Sequence, residues 1–302
     1  MADTRDPEEL TATADVPVAT ELPAATSMGP VHLTVADLDR SLDYYRTAIG
    51  LAVLDRSDGS ASLGAGSRQL LVLNEEPGAR PSTGHTGLFH IALLVPERRE
   101  LARWLAHAVR ERIGLTGLSD HVVSEAIYLQ DPDRHGIEIY ADRPREQWEG
   151  DVGTRLTTIP LDVENLLREL EDPMREPFDG LPDGTTVGHV HLRVAGIPET
   201  IAFYRDVLGF GLMAVYGTQA AFLAAGGYHH HVGANVWESL AAPPAPTGAA
   251  RLLHATIVLP TAADRDDLVG RLERDGERLE QTPHGPLVRD PSGNGLVLTA
   301  AR

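Results

Sequence analysis

The chain repeats itself at a fixed distance. The segment GPVHLTVADLDRSLDYYRTAIGL, which begins at Gly29, aligns with GHVHLRVAGIPETIAFYRDVLGF, which begins at Gly188. The offset between these glycines, 159 residues, recurs between His32 and His191. Self-similarity of this kind means that the fold is built from copies of one supersecondary unit.

A second pair of segments makes the repeat unit longer. HIALLVPERRELARWLAHAV, from His90, aligns with HATIVLPTAADRDDLVGRL, from His254, with a proline at the same place in both. The segments that follow them also align, DPDRHGIEIY from Asp131 with DPSGNGLVLT from Asp290. The chain therefore consists of four modules, numbered 1 to 4, which begin near Gly29, His90, Gly188 and His254.

Each module follows the same order of elements. An alternating segment that ends in Val or Leu predicts a half-buried strand. A helix follows, over 38–49 in module 1 and from Pro198 to Gly209 in module 3, each with a glycine at its C-terminus. Short strands come next. We predict them at Ala61–Leu63, Gln69–Leu73, Ala220–Ala224 and His230–Trp237. The modules are thus βαβββ units of an α+β fold, and the connection over 141–185 contains one helical segment, 163–170.

Composition excludes several classes of function. The net charge of −18 disfavours binding to nucleic acid or to an anionic membrane surface. The absence of cysteine excludes disulfides, thiol nucleophiles and thiolate metal sites. The chain has no apolar segment long enough to span a membrane, and residues 1–27 have the composition of a disordered tail, not of a signal peptide. We therefore expect a cytoplasmic protein.

The module openings, the FYRDVLGF helix end and the DPDRHGIEIY ending resemble the vicinal oxygen chelate superfamily over about residues 28–302. That superfamily contains glyoxalase I, bleomycin resistance proteins and extradiol dioxygenases. The segments SDHVVSEAIYLQDPDRHGIEIYADRP and AGGYHHHVGANVW resemble more narrowly its two-domain catechol-2,3-dioxygenase branch. The resemblance implies two domains, 28–143 and 186–302, separated by a linker over 144–185. It also implies that modules pair into curved sheets whose concave faces bind a divalent metal.

The resemblance places the metal ligands on the first strand of each module and on the last strand of one. The first-strand position holds His90 in module 2, His189 in module 3 and His254 in module 4, but Pro30 in module 1. The last-strand carboxylate is Glu138 in module 2. Val297 occupies the equivalent position in module 4.

Pairing of consecutive modules would leave both sheets without a complete ligand set. Pairing module 2 with module 3, and module 1 with module 4, brings together His90, Glu138 and His189, a 2-His-1-carboxylate set of the kind that binds Fe(II) in non-haem oxygenases. We prefer this cross-pairing. The alternative pairs module 1 with module 2 and uses His32, two residues from Pro30 on the same strand face.

The resemblance also implies three residues that act on the substrate. His231 matches an acid/base histidine near the end of module 3. Tyr128 stands ten residues before Glu138, as in the family, and His121 matches a further histidine upstream of that carboxylate. A neutral histidine can take and return a proton, and a tyrosine can donate a hydrogen bond to a substrate oxygen.

These features predict an Fe(II)-dependent extradiol dioxygenase, with Mn(II) as the alternative metal. Its substrates would be a small aromatic diol and O2, and the chain could form a homo-oligomer. Two other functions stay open at this stage. One is a glyoxalase-type metal-dependent isomerase or lyase, and the other is a drug-binding resistance module, which needs no metal ligands.

Overall fold

The computed structural model describes residues 20–150 and 152–301. The strands, β1 to β20 in chain order, are Ser27–Met28, Val31–Val35, Ala52–Ser57, Ser60–Ala65, Arg68–Glu75, Arg80–Pro81, Gly87–Leu94, Gly117–Asp120, Ser124–Gln130, Gly136–Asp142, Ile159–Pro160, Thr186–Arg193, Gly211–Tyr216, Ala220–Ala224, Val232–Asn235, Ala249–Ala250, Leu252–Leu259, Glu280–Thr282, Gly285–Arg289 and Gly295–Ala300. The α-helices, α1 to α6, are Leu38–Tyr44, Arg98–Glu111, Val152–Arg155, Val163–Leu167, Ile197–Ile201 and Ala262–Arg274.

The modules pair across the two halves of the chain. One sheet has the strand order β11-β8-β9-β10-β7-β12-β15-β14-β13 and joins modules 2 and 3; we call it the 2+3 sheet. The other has the order β18-β19-β20-β17-β2-β5-β4-β3, joins modules 1 and 4, and is the 1+4 sheet. The predicted α+β fold and the preferred cross-pairing are therefore confirmed. The two domains expected over 28–143 and 186–302 stay a prediction, and each sheet takes one module from each of these ranges.

Within each sheet, the two modules meet at an antiparallel strand pair, and the registers of the two pairs match. In the 2+3 sheet β7 pairs with β12, and His90 lies opposite His191. In the 1+4 sheet β17 pairs with β2, and His254 lies opposite His32. The alternative pairing of modules 1 and 2 is wrong, because β2 and β7 belong to different sheets.

The turns before the last strands hold the two sheets to each other. Asp131, in the turn DPDRHG, accepts a hydrogen bond from Tyr45 Oη of module 1 at 3.1 Å. The equivalent Asp290, in DPSGNG, accepts one from Tyr204 Oη of module 3 at 3.2 Å. Both tyrosines and both carboxylates are buried. The equivalent tyrosines of modules 1 and 3 therefore bond modules that belong to different sheets.

The first helix of each repeat ends as the glycines predict. Helix α1 is capped by Asp37, whose side chain accepts from the backbone N–H of Arg40, and it continues as a π-helix over Tyr45–Ile49. Helix α5 continues likewise over Ala202–Val207. Gly50 and Gly209 follow with φ of 89° and 94°, a conformation that only glycine adopts without strain.

Residues 1–19 of the expected tail lie outside the described residues. The expectation of a disordered tail is wrong for residues 20–27, because this segment packs against the rest of the protein. Leu22 is buried and its N–H donates to the carbonyl of Gly209, and Ser27 pairs with Val258 in the 1+4 sheet. No helix within 20–150 and 152–301 is long and apolar enough to cross a membrane.

The predicted linker, 144–185, is built into the molecule. Strand β11 pairs with β8 at the edge of the 2+3 sheet. Helix α4 lies against α2, where Arg98 contacts Glu169 and Asn165 at 2.7 and 2.8 Å. This segment therefore covers the outer face of module 2.

Candidate metal centre

Three side chains of the 2+3 sheet converge because of its register. Glu138 on β10 and His189 on β12 both lie beside Ala92, on the strand β7 between them. His90 is two residues before Ala92 and so faces the same side of the sheet. The small side chain of Ala92 leaves the space above it to these three longer residues. The pairing of β10 and β12 with β7 is therefore sufficient to bring Glu138, His189 and His90 together.

The donor atoms of these residues are close to one another. Glu138 Oε2 lies 2.9 Å from His90 Nε2 and 3.2 Å from His189 Nε2, and the two nitrogens are 3.4 Å apart. Atoms at such separations can all lie at the distance of about 2.0–2.2 Å from one ion that nitrogen and oxygen ligands adopt. We call His90, Glu138 and His189 the triad.

Burial and charge prepare the triad for a cation. Glu138 is 2% exposed. Burial by itself raises the pKa of Glu138. The imidazoles of His189 and His90 outweigh that effect and hold this pKa well below its usual value. Burial lowers the pKa of His189 to about 4, so its imidazole is neutral at pH 7. A carboxylate and neutral imidazoles are the protonation states that a metal requires of its ligands. The donor set therefore fits a divalent ion.

Tyr128 and His121 lie beside the triad as a hydrogen-bonded pair. Tyr128 lies directly opposite Glu138 in the β9–β10 pair. His121 Nδ1 is 2.8 Å from the carbonyl of Thr157 and therefore donates to it, so that Nε2 accepts the hydrogen bond from Tyr128 Oη at 2.7 Å. Burial, followed by the charge of Glu138, raises the pKa of Tyr128 well above its usual value. Its hydroxyl thus keeps a proton to donate.

The histidines 229–231 differ from the sequence expectation. The strand predicted over 230–237 spans only Val232–Asn235, so the three histidines lie in irregular backbone and do not alternate between faces. The ring of His230 lies 4.0 Å from that of His189. His231 instead packs against Tyr228, and its Nδ1 accepts from the N–H of Ala225. The structure therefore corrects the expected position of His231: the side chain that lies beside the ligands is that of His230.

A chain of hydrogen bonds fixes the protonation of His230. Asp142 Oδ1 is 2.9 Å from His229 Nε2, which must donate to the carboxylate. In a neutral His229 the other ring nitrogen, Nδ1, is then an acceptor, and His230 Nδ1, 2.8 Å away, donates to it. Burial, followed by neighbouring histidines, lowers the pKa of His230 well below its usual value. His230 Nε2 is consequently left with a free lone pair.

Aromatic residues that the sequence analysis did not select border the triad. The ring of His191 lies 4.9 Å from that of His90, and Phe89 and Trp237 lie 5.3 and 5.7 Å from His191. Trp237 is 49% exposed, which places this aromatic wall at the surface. The repeat did carry a signal for His191, since it aligns with His32.

The 1+4 sheet carries a second histidine cluster. His32 on β2, His254 on β17 and His284 in the turn between β18 and β19 have ring nitrogens within 4.8 Å of one another. The alternative ligand set placed His32 with His90 and Glu138. That placement is wrong, because His32 lies in the other sheet. Burial, then the neighbouring His254 and His284, lowers the pKa of His32 to about 3, and burial lowers that of His254 to about 4.

Comparison with known proteins places this geometry in a family. The model for the Glyoxalase/Bleomycin resistance protein/Dioxygenase superfamily matches residues 27–139 and 186–298. The chain is 44% identical over 278 residues to Catechol-2,3-dioxygenase from Bacillus subtilis (strain 168), covering 90% of this chain and 96% of the relative. Among solved structures, glyoxalase I from Zea mays has a TM-score of 0.56 at 18% identity, covering 91% of this chain and 92% of its own. The cppA protein from Streptococcus pneumoniae TIGR4 has a TM-score of 0.53 at 14% identity, with coverages of 91% and 99%.

Proposed function

Because the chain belongs to the Glyoxalase/Bleomycin resistance protein/Dioxygenase superfamily, we propose that it is an Fe(II)-dependent extradiol dioxygenase that opens a catechol ring beside its two hydroxyl groups. The observation that carries the proposal is the buried triad of His90, Glu138 and His189. Two histidines and one carboxylate on one side of a metal leave positions free for two further ligands. The name of the Bacillus subtilis relative supports the same reaction.

The composition of the triad favours this reaction over the alternatives. The resemblance implies that a glyoxalase-type enzyme would add a second carboxylate, whereas His189 occupies that position here. A drug-binding module would have no use for Glu138, whose burial costs free energy unless a partner offsets it. Of the two metals, Fe(II) matches the ligand set and Mn(II) remains the alternative.

The residues of the triad would hold the metal, and Fe(II), when bound, would supply the acidification of a catechol hydroxyl and the redox chemistry of the reaction with O2. His230 then accepts the proton of that hydroxyl at its free Nε2 and returns it when the ring opens. Asp142 and His229 act as positioning residues, because they fix the tautomer that leaves Nε2 unprotonated. The sequence-based assignment of this role to His231 is therefore replaced by His230.

Tyr128 and the aromatic wall orient the substrate. Tyr128 Oη donates its single proton to His121 Nε2, so toward the bound diol its oxygen is an acceptor for a substrate hydroxyl. It can donate to an oxygen of the diol, as the sequence predicts, when that proton turns from His121 toward the substrate. Phe89 and Trp237 offer ring faces and edges to the flat substrate. The wall is open at Trp237, so substituents that extend from the ring can reach solvent there.

The remaining parts of the proposal concern the setting. The acidic chain is not expected to bind nucleic acid. The lack of cysteine is compatible with a reducing compartment, and we place the protein in the cytoplasm on that basis. A homo-oligomer is proposed as its assembly, to be measured by light scattering.

The reaction is tested with Fe(II)-loaded protein and catechol in air. The expected result is uptake of one O2 per catechol and a yellow ring-opened product. Resorcinol, whose hydroxyls are not adjacent, is the control and should give neither signal. If the protein binds iron and catechol but consumes no O2, and instead isomerises a glutathione hemithioacetal without air, the glyoxalase-type function replaces the dioxygenase.

A further inference from the structure

The histidine cluster of the 1+4 sheet belongs to no part of the proposed reaction. We propose that His32, His254 and His284 form a second metal site, for a divalent ion that prefers nitrogen ligands, such as Zn²⁺. The site would be independent of the triad, because its residues come from β2, β17 and the turn between β18 and β19, all in the other sheet. The chain would then bind two metal ions of different ligand sets.

The geometry of the cluster is that of converging ligands. The rings of His32 and His254 are stacked with centroids 4.0 Å apart, and His284 lies 4.4 Å from His32 and 5.4 Å from His254. His32 and His254 reach this arrangement through the strand register, since they lie opposite each other in the β2–β17 pair. His284 is brought in by the tight turn, in which Thr282 accepts from the His284 N–H.

An unsatisfied polar atom points to a missing ligand. His254 is 7% exposed, and its buried Nδ1 has no hydrogen-bond partner among the described residues. A buried polar atom without a partner is destabilising, because it has lost its hydrogen bonds to water. Coordination of a metal by this cluster would offset that cost. By contrast, His107 and His135, elsewhere in the core, each have a ring nitrogen bonded to a backbone carbonyl.

The chemistry of the donors selects the ion. The cluster contains three imidazoles and no carboxylate, since Val297 stands where the triad has Glu138. Three histidines with an open fourth position suit Zn²⁺, and related late divalent ions bind the same donors. Arg289 lies close enough to His254 to lower its pKa, but its guanidinium is paired with Glu280 at 3.2 Å. His284 is exposed, which gives an ion a path to the site.

The experiment counts metal ions in the full-length, tag-free protein. The chain is stripped with a chelator and titrated with Zn²⁺ by calorimetry, and with Co²⁺ by its visible absorption. We expect two equivalents for the wild type. His189→Ala, in the triad, should bind one equivalent, and His284→Ala should weaken one equivalent by at least about 10-fold. The matched control is His85→Ala, which removes a histidine that belongs to neither cluster and whose ring bonds to the carbonyl of Thr83; this variant should bind two equivalents.

Three further measurements test the second metal site. His284→Ala should keep the wild-type rate of catechol cleavage with Fe(II), because His284 takes no part in the triad; this separates the second site from the proposed reaction. His254→Ala should lose the same equivalent as His284→Ala. A wild-type protein that binds a single equivalent, abolished by His189→Ala, would overturn the second site, as would a second equivalent that persists in His284→Ala.

Discussion

The two sheets of this protein have the same topology but different side chains at the metal positions. Both have a histidine pair at the junction of their modules, His90 with His191 in one and His254 with His32 in the other. In the 2+3 sheet His90 is joined by Glu138 and His189. In the 1+4 sheet the equivalents of those two are Val297 and Pro30, so the junction pair is joined by a histidine from a turn.

The comparison shows which positions determine the chemistry. The junction pair is common to both sheets and follows from the register alone. The residue on the last strand, Glu138 or Val297, decides whether the ligand set carries a negative charge. The neighbouring residues differ accordingly. Tyr128 lies opposite Glu138, with His121 and His230 close by, whereas the buried Val297 lies beside Thr256 and Leu287. Under the proposed function, reactivity would therefore depend on one carboxylate and its neighbours, within a scaffold that both sheets share.

The largest effect should come from making the two sheets alike. Glu138→Val gives the 2+3 sheet the residue of the 1+4 sheet and leaves His90 and His189 without the carboxylate. Loss of a residue that only supports a ligand already costs about 10- to 100-fold in affinity, so loss of a ligand should cost more. We expect iron content to fall to background and ring cleavage to become undetectable, measured by metal analysis and O2 uptake.

The matched change in the other sheet is Val297→Ala. It shortens a core side chain at the equivalent position and should lower stability while leaving iron content and O2 uptake per folded molecule unchanged. Iron retained in Glu138→Val at the wild-type level would show that the carboxylate is not a ligand.

A smaller effect should separate proton transfer from metal binding. His230→Gln removes the imidazole whose ring lies 4.0 Å from that of His189, but it leaves the triad intact. General acid–base catalysis contributes about 100- to 10,000-fold, and the loss should appear in kcat with iron retained. His231→Gln, next to it, should change kcat only a few-fold, because His231 bonds to the backbone of Ala225. The opposite ranking of these two variants would return the role to His231.

Much of this arrangement could be predicted from the sequence, because the repeat fixes the register. The constant offset aligns Glu138 with Val297 and His189 with Pro30, the module openings align His90 with His254, and counting the ligands favours the cross-pairing that the structure has. The helix over 38–49 and the strand Ala220–Ala224 follow from periodicity and from glycine.

The histidines 229–231 could not be placed in this way. Gly226 and Gly227 both have positive φ, 61° and 66°, so the chain turns sharply and the strand begins only at Val232. Alternation between faces applies only within a strand. The cluster around His284 was missed for a related reason: its third member lies in a turn, where spacing along the sequence says little about position in space.

The smallest effect should reveal a slight asymmetry between the two bonds that link the sheets. Tyr45→Phe and Tyr204→Phe each remove a hydrogen bond to a buried carboxylate, worth about 1.5–3 kcal/mol. Asp290 retains an additional donor, Asn294 Nδ2 at 2.9 Å, whereas the His135 ring next to Asp131 bonds to Thr34 instead. We therefore expect Tyr45→Phe to lower the free energy of unfolding more than Tyr204→Phe, in urea denaturation of the metal-free protein.

The pH dependence of that difference provides its own check. The hydrogen bond from Tyr45 lowers the pKa of Asp131, against the larger effect of burial, which raises it. Its loss should therefore raise that pKa further, so the cost of Tyr45→Phe should be full above the pKa of the carboxyl group and should shrink as the pH falls and the group is protonated. Tyr44→Phe is the control, because the Tyr44 hydroxyl bonds to the neutral carbonyl of Gln130. A cost of Tyr45→Phe that is equal to that of Tyr44→Phe, or that grows toward low pH, would show that the Asp131 carboxylate does not depend on Tyr45.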